Sequence, residues 1–398
     1  YSSLTLMVRL MALNNTREIL SNKNILLFII SCCAILNAQE LSSHKGINFP
    51  DIDGHLTLVS DFHSHTVFSD ADVWPTIRVE EADREQLDVL AITDHLYKDP
   101  NYSGNGADIP NPDKNRSYSI AESAVKSDLI LVHGIELSRS MPLGHCNAIF
   151  VTDANALIIE DPIELFEEAK KQNAFTFWNH PYRRQEPYGL LELKDIHKEL
   201  IKKGLLHGIE VVNRGKFSDG ALQIALDNNL TIMGNSDIHG FIDWEYEVPS
   251  GGHRPVTLVF AKKRNQKSIQ KALFDRQTVV WHKNSLIGRE EWLIPLIHAS
   301  LEIESFKYKY DDSSYKRDLA YVEIKNNSDA RFILKNISDY SFFMDIDVIE
   351  IPAHETVELQ VITRAKLEKF NLEFEVLNAI FAPRKHPTIT MEVEKVKR

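Results

Sequence analysis

The 398-residue sequence is poor in cysteine, in basic clusters and in long apolar runs. Only three cysteines occur, and two of them, Cys32 and Cys33, lie near the N-terminus. With Cys146 alone in the remainder, a disulfide framework and a cysteine-based zinc site are excluded there. The net charge of −12, without a Lys/Arg-rich run, argues against a nucleic-acid-binding surface. A metal site, if present, must therefore use histidine and carboxylate ligands.

The longest apolar run, residues 25–36, lies in a segment with the features of a secretory signal peptide. Basic residues precede it, and Ala38 follows it at a suitable cleavage position. The run is too short for a comfortable membrane span. We therefore predict a signal peptide over residues 1–38, export to the periplasm or the medium, and no membrane span after cleavage. Two alternatives stay open, namely a lipoprotein box that leaves a lipid-anchored Cys32, and an uncleaved N-terminal anchor.

Two different patterns divide the rest of the chain. Short apolar runs alternate with stretches of helical period, the runs being residues 56–60, 87–93, 129–135, 146–151, 174–179, 207–212 and 230–236. Such alternation is typical of a parallel sheet covered by helices, and about seven repeats predict a closed or nearly closed α/β barrel. Beyond about residue 295, alternating polar and apolar residues with turns between them predict a small antiparallel β-sandwich. We therefore predict a barrel over residues 39–295 and a β-sandwich domain over 296–398.

Histidine and acidic residues stand at the ends of most predicted barrel strands. The segments are "DFHSHTVFSD" with His63, His65 and Asp70, "TDH" with His95, "HGIE" with Glu136, "GHCN" with His145, "NHP" with His180, and "NSDIHG" with Asp237 and His239. A single histidine at a strand end is usually an ordinary surface residue, but six such segments in succession are hard to obtain by chance. Because the carboxyl ends of parallel strands meet at one face of a barrel, these side chains are expected in one cavity. Imidazole and carboxylate together suit zinc, manganese or iron.

The order and spacing of these six segments resemble the PHP (polymerase and histidinol phosphatase) family over about residues 56–285. The resemblance implies a distorted (βα)7 PHP barrel that holds two or three divalent metal ions. Carried over position by position, it assigns His63, His65, Glu136 and Asp237 to one ion. Glu136 then bridges to a second ion bound by His145 and His180. The third ion is assigned to Asp70, His95 and His239.

The chemistry implied by the resemblance is hydrolysis of a phosphate ester by a metal-bound hydroxide at a trinuclear site. His180, His239 or a metal-bound water is the candidate proton donor to the leaving group. Arg183 and Arg184, which follow "NHP", and Arg139 are candidates for binding the phosphoryl oxygens, because a guanidinium fork suits phosphate. Each arginine is equally compatible with a solvated loop position. The sequence does not distinguish a phosphomonoester from a phosphodiester.

Several neighbouring residues receive weaker assignments. Asp94 is expected to orient His95 or to cap the turn that follows, and His133 to form buried wall or to support the ligands. The loops at 97–118 and 241–254 are predicted lids. Their aromatic residues either stack on a substrate or pack the lid: Tyr97, Tyr102, Trp244 and Tyr246.

The predicted partner is a small phosphorylated substrate, with no nucleic acid, and the oligomeric state is left open. The alternative is a metal-binding, non-catalytic binding or scaffold module in which the β domain docks a glycan or a protein. The complete set of nine candidate ligands favours the enzyme. For the β domain we favour a structural cap or an oligomer contact over substrate binding.

Overall fold

Strands rich in β-branched and aromatic residues alternate with helices over the central part of the chain. The computed structural model describes residues 46–97, 109–182, 191–308 and 318–394, which belong to one compact unit, Lys45–Arg398. The signal peptide predicted for residues 1–38 lies outside the described residues. Within those ranges, no helix combines the length and the apolar character needed to cross a bilayer.

The barrel strands are β1 (Leu56–Asp61), β2 (Val89–Ile92), β3 (Ile130–Leu137), β4 (Cys146–Ile149), β5 (Phe175–Trp178), β6 (Gly208–Asn213), β7 (Lys216–Phe217) and β8 (Thr231–Asn235). β1, β2 and β3 pair in parallel, as do β5, β6 and β8. β4 runs antiparallel between β3 and β5, a reversal that was not predicted from the sequence. Because β4 is reversed, its first residue lies at the carboxyl edge of its parallel neighbours. His145, which directly precedes β4, therefore reaches the same edge as the other candidate ligands.

The barrel closes between β1 and β8, just beyond the ends of both strands. Ser64 and Ile238 form a parallel bridge there. The N–H of His65 donates to the carbonyl of Ile238 (3.1 Å), and the N–H of Asp237 donates to the carbonyl of His63 (2.9 Å). The closure thus joins directly the two segments that carry five of the candidate ligands, and the predicted distorted α/β barrel is confirmed.

Helices cover the outside of this sheet: α1 (Pro75–Arg84), α2 (Arg116–Ala124), α3 (Pro162–Lys171), α4 (Asp195–Lys202), α5 (Asp219–Asp227), α6 (Ile242–Glu245), α7 (Gln266–Phe274) and α8 (Glu290–Ser300). α3 shows why they form. Asp161 caps its start by accepting from the N–H groups of Ile163 and Glu164, and Leu165, Phe166 and Ala169 form its buried face. α1, α2 and α4 each connect two successive strands that pair in parallel.

Three strands extend the sheet on the other side of β1: β9 (Val256–Ala261), β10 (Thr278–His282) and β11 (Ser285–Gly288). β9 pairs antiparallel with β1, β10 with β9, and β11 with β10. Side chains connect this extension to β8 across the barrel. Thr257 Oγ1 donates to the Gly234 carbonyl (2.9 Å), and Thr278 Oγ1 donates to the Ile232 carbonyl (2.8 Å).

The C-terminal domain is the predicted β-sandwich. Its strands are β12 (Leu301–Tyr308), β13 (Leu319–Asn326), β14 (Phe332–Asn336), β15 (Ser341–Phe342), β16 (Val348–Ile351), β17 (Thr356–Ile362), β18 (Lys369–Val376), β19 (Ala379–Ile380) and β20 (Thr388–Glu394). Two antiparallel sheets form, with strand orders β12-β13-β17-β15 and β16-β14-β18-β20. Alternate residues point inward; in β20 the buried ones are Ile389, Met391 and Val393. This alternation is what two facing sheets require.

The two domains are joined by more than the chain between them. β19 of the C-terminal domain pairs in parallel with β11, so the barrel sheet continues into the sandwich. Leu293 and Leu296 of α8 belong to the same hydrophobic cluster as Phe332 and Phe374 of the sandwich. The domains therefore share a continuous core.

Candidate metal centre

All nine candidate ligands lie together at the carboxyl edge of the barrel, around the carboxylate of Glu136. Its Oε1 lies 2.9 Å from His145 Nδ1, 3.5 Å from His180 Nε2 and 3.7 Å from His63 Nε2. Its Oε2 lies 2.7 Å from His95 Nδ1 and 3.4 Å from His65 Nε2. Glu136 itself is fully buried. One carboxylate near the end of β3 thus faces five imidazoles from four other segments, which suits a bridging ligand.

The inner part of the cluster consists of His63, His65 and Asp237. The two Nε2 atoms are 3.0 Å apart, and Asp237 Oδ1 lies 3.3 Å from that of His63 and 3.1 Å from that of His65. All three residues are buried. Atoms that bind one ion at bond lengths of about 2.0–2.2 Å stand roughly 3 Å apart. These donors are therefore spaced as ligands of a single ion would be.

The outer part of the cluster is open to solvent and centres on Asp70. Asp70 Oδ1 lies 3.2 Å from His239 Nε2, 3.3 Å from His95 Nε2 and 3.9 Å from His65 Nδ1. Asp70, His95 and His239 are all partly exposed, as is His145. A substrate would therefore approach from this side. Potential metal-binding groups are His65 with Asp70, His95 and His239; His63 with His65 and Asp237; and His95 with Glu136 and His145.

The carboxylates of this cluster are suited to bind cations. Asp70 Oδ1, Glu136 Oε2 and Asp237 Oδ2 are buried oxygens that accept no hydrogen bond from the described residues. Burial would raise the pKa of Glu136, but the imidazoles of His95, His145 and His63 hold that pKa well below its usual value. Asp237 shows the same balance. Burial raises its pKa, but His63 and His65 lower it by more, so the pKa lies well below its usual value. Buried ionised oxygens without hydrogen bonds require positive charge nearby, so the residues present fit divalent metal ions.

Glu210 in β6 supports the cluster from behind and was not predicted. His63 Nδ1 lies 2.9 Å from its Oε1, which also accepts from Asn235 Nδ2 (3.0 Å). Its Oε2 accepts from the N–H of His180 (2.8 Å) and from Asn213 Nδ2 (2.9 Å). A carboxylate on the far nitrogen of a metal-binding imidazole fixes its tautomer and ring orientation. The sequence signal was a single acid within the buried apolar strand "GIEVVN".

Asp94 orients the loop after β1 through its side chain. Its Oδ1 accepts from the N–H of Thr66 (2.7 Å) and from Ser69 Oγ (2.6 Å), and its Oδ2 accepts from Thr66 Oγ1 (2.6 Å). Ser69 Oγ in turn lies 3.3 Å from His65 Nδ1. The Asp94 carboxylate therefore supports the loop that carries His65. These hydrogen bonds come neither from His95 nor from the turn after it, which were the predicted partners.

The arginines divide into three cases. Arg183 and Arg184 lie outside the described residues, so their role stays a prediction. Arg139 is held against the wall, where its guanidinium lies 4.4 Å from the centre of the Tyr97 ring and donates to the carbonyl of Ile159. Arg214 was not predicted, yet its Nη2 lies 2.6 Å from His239 Nδ1.

Arg214 stands at the edge of the cluster, in the turn between β6 and β7. Its Nε lies 3.4 Å from Asp237 Oδ2, and 40% of its side chain is exposed. Its φ of 53° falls in the left-handed region, which is uncommon for residues other than glycine. The sequence offered only the pair "RG" after an apolar strand, which by itself indicates a turn.

The aromatic candidates of the two predicted lids differ in exposure. Tyr97 packs under Arg139, and Tyr246 is mostly buried, with its hydroxyl donating to the Ser236 carbonyl (2.9 Å). Trp244 is 78% exposed and packs on Phe241 in a tilted arrangement, with ring centres 4.8 Å apart. Tyr102 lies outside the described residues.

The remaining cluster neighbours are structural. His133 stacks on Tyr118 with ring centres 4.3 Å apart and forms buried wall, one of its two predicted roles. Burial and the nearby carboxylates of Glu136 and Glu210 raise the pKa of the Cys146 thiol well above its usual value, so it stays protonated in the core. Neither residue adds a ligand.

Both domains of the chain resemble those of known proteins. A family model described as an Ig-like domain matches residues 301–392. No curated protein matches the chain. A crystal structure from Bacteroides vulgatus ATCC 8482 is of a two-domain protein containing a predicted PHP-like metal-dependent phosphoesterase. It is 36% identical, has a TM-score of 0.77, and the match covers 88% of this chain and 99% of that chain.

Two further solved structures are more distant. One is described as a candidate metal-dependent phosphoesterase from Bifidobacterium adolescentis ATCC 15703, with 18% identity and a TM-score of 0.35. The other is an amidohydrolase from Chromobacterium violaceum, with 15% identity and a TM-score of 0.32. Each match covers 46% of this chain and 87% of the other. At these scores neither carries an argument, whereas the Bacteroides match spans both domains nearly from end to end. The chain therefore belongs to the PHP-like family and shares the two-domain architecture of that relative.

Proposed function

We propose that this protein hydrolyses a phosphate ester of a small organic molecule, using two or three divalent metal ions held by the nine clustered residues. The observation that carries the proposal is the convergence of imidazoles and carboxylates on Glu136, with a buried inner set and a solvent-facing outer set. The Bacteroides relative, described as containing a predicted metal-dependent phosphoesterase, supports the same chemistry. Export of the protein, predicted from residues 1–38, stays a prediction.

The ligand assignment follows the observed groups. We assign His63, His65 and Asp237 to an inner ion and Asp70, His95 and His239 to an outer one, with Glu136, His145 and His180 completing the centre. Divalent ions bound there supply Lewis acidity toward phosphoryl oxygens and a strong nucleophile at neutral pH. Glu210 and Asp94 hold the ligands in place.

Arg214 is our candidate for binding the phosphoryl group. Its Nε lies 3.4 Å from Oδ2 of the candidate ligand Asp237, and part of its side chain faces solvent. Its planar fork can donate two hydrogen bonds to non-bridging phosphate oxygens. Arg183 and Arg184 remain additional candidates.

A water is the more suitable proton donor to the leaving group, because His180 and His239 both belong to the candidate ligand set. Both nitrogens of His239 are engaged, because Nδ1 lies 2.8 Å from the Asp237 carbonyl and Nε2 lies 3.2 Å from Asp70 Oδ1. This pattern suits a metal ligand with a fixed tautomer.

The test is hydrolysis of p-nitrophenyl phosphate and of its bis ester with added Mn²⁺ or Zn²⁺, together with metal analysis of the purified protein. We expect metal-dependent turnover that a chelator abolishes. The double variant His63→Ala/His65→Ala should lose both bound metal and activity, whereas the control His298→Ala should keep both. Preference for the bis ester would identify a diesterase. Bound metal without turnover of either ester would instead identify the non-catalytic binding module.

A further inference from the structure

We infer that Arg78 is a positioning residue that holds two ligand-bearing segments in the geometry needed for metal binding, before any metal arrives. The inference rests on the metal centre of the proposed function. Arg78 lies on α1, and its side chain is completely buried. It contacts none of the nine candidate ligand side chains through a hydrogen bond; apart from Glu81 on the same helix, its partners are backbone carbonyls of the segments that carry those ligands.

The guanidinium donates to two separate segments at once. Its Nε donates to the carbonyl of His65 (2.8 Å), in the segment after β1. Its Nη1 donates to the carbonyl of Gly240 (2.8 Å), and its Nη2 donates to that of His239 (2.9 Å), in the segment after β8. Fixing a peptide plane fixes the direction of the adjoining side chain. Arg78 thereby sets the relative placement of His65 and His239.

Contacts with Glu81 hold the Arg78 guanidinium in place between the two ligand-bearing segments. Arg78 Nη1 also donates to Glu81 Oε2 (2.7 Å) on the same helix, which balances the buried charge. The second oxygen of Glu81 accepts from the N–H of Ile242 (3.0 Å), so the ion pair also holds the chain beyond Gly240. An unpaired charge at this depth would be costly, and these partners remove that cost.

Lysine cannot reproduce the arrangement. A guanidinium presents five N–H donors in a fixed plane, whereas an ammonium is a single point with three donors on a flexible stem. Arg78→Lys keeps the charge beside Glu81 but cannot span the carbonyls of His65, His239 and Gly240 together. The conservative variant therefore separates charge from geometry.

The chain offers a matched control in Arg289. Its Nη2 donates to the carbonyls of Ala225 (3.2 Å) and Leu230 (3.0 Å), so it too anchors backbone through a guanidinium. Leu230 directly precedes β8 and thus lies at the barrel edge opposite the candidate centre. Arg289→Lys should lower stability without reaching the ligand segments.

The first experiment measures metal affinity by competition with a chromogenic chelator, using Mn²⁺ and Zn²⁺ on each purified full-length variant. Arg78→Lys should weaken the tightest binding by about 10- to 100-fold, the range found for residues that orient metal ligands. It should also change the visible absorption spectrum of the Co²⁺-loaded protein. Arg289→Lys should leave affinity and spectrum as in the wild type, even if its melting temperature falls equally. Wild-type affinity in folded Arg78→Lys would overturn the inference.

The second experiment needs no variant and holds even if Arg78→Lys does not fold. In metal-free wild-type protein, the amides of His65, Asp72 and Asp237 should already be protected from hydrogen exchange, since each donates across the clamped segments. Free exchange of these amides that becomes slow only on adding metal would overturn the inference. Metal binding without ester hydrolysis would refute the phosphoesterase proposal alone and leave this inference standing.

Discussion

Among single residues, Glu210 is the one whose removal should most cleanly disturb ligand orientation. Four donors surround its carboxylate, from His63, Asn235, His180 and Asn213. Glu210→Gln preserves the side-chain volume but replaces one acceptor oxygen by an NH₂ group. Because that group is itself a donor, some of the four donors that face it would lose their acceptor. We expect metal affinity to fall by about 10- to 100-fold, measured by chelator competition.

The control for this variant is Glu199→Gln, which removes only the exposed ion pair with Lys203. It should leave metal affinity at the wild-type value, because exposed pairs contribute little. Equal affinities of the Glu210 and Glu199 variants would show that His63 needs no carboxylate behind it.

The candidate ligands were predictable from the sequence, whereas the residues that hold them were not. Each ligand segment follows or precedes an apolar strand, and strand direction alone brings such ends to one face. Arg78, Glu210 and Arg214 act through contacts between distant parts of the chain, such as that from Arg78 to the carbonyl of His239. A backbone carbonyl is present at every position, so no local pattern marks it as a partner.

At the scale of elements, the barrel depends on close packing between β8 and β10. A Cβ placed on Gly234 would lie 2.2 Å from Cγ1 of Val280. Gly234→Ala should therefore lower the free energy of unfolding by about 1–3 kcal/mol, the usual cost of overpacking a core. Urea unfolding measures the effect.

The double variant Gly234→Ala/Val280→Ala tests whether the clash with Val280 causes the loss of stability. Removing the Val280 methyl groups makes room for the new Cβ, so the two substitutions should be non-additive, with a coupling of about 0.5–3 kcal/mol in the favourable direction. If the two effects on stability simply added, the distance between β8 and β10 would adjust to the new Cβ, and their close packing would not require glycine at position 234.

Strand positions were easier to predict than strand directions. β4 reads as another short apolar run, and a run of four residues carries no signal of its orientation. The two-residue strand β19 pairs with β11 across about ninety residues of sequence, a contact that no local pattern predicts.

For the whole molecule, the shared core and the sheet continuation imply that the two domains support each other. Asn378 of the sandwich is buried and donates through Nδ2 to the carbonyls of Asn284 (2.9 Å) and Arg331 (2.8 Å). Asn284 forms part of the turn between β10 and β11 of the barrel. The sandwich thus holds a barrel turn in place, which agrees with a structural role for this domain.

Overall stability should also depend on pH through partly buried histidines outside the metal centre, such as His207. Burial lowers the pKa of His207 to about 4, with Lys170 adding a smaller effect in the same direction. The unfolded chain binds this proton below about pH 6.5, whereas the folded chain does not, so stability falls as the pH drops between these values. The loss for one such histidine is about 1.4 kcal/mol per pH unit at most.

The variant His207→Gln isolates this contribution. Urea unfolding of wild type and variant at about pH 7.5 and about pH 5.5 should show a smaller loss of stability in the variant, by about 1 kcal/mol. Titration of the metal ligands affects both proteins alike and cancels in the difference. An identical pH dependence of the two proteins would show that His207 protonates normally in the folded state.

The most direct measurement of the central claim is an anomalous-diffraction map from crystals of this protein grown with Mn²⁺ and Zn²⁺. The account predicts two or three anomalous peaks among the nine clustered side chains, with Glu136 bound to more than one ion. Absence of peaks there, with ions bound elsewhere on the protein, would contradict it.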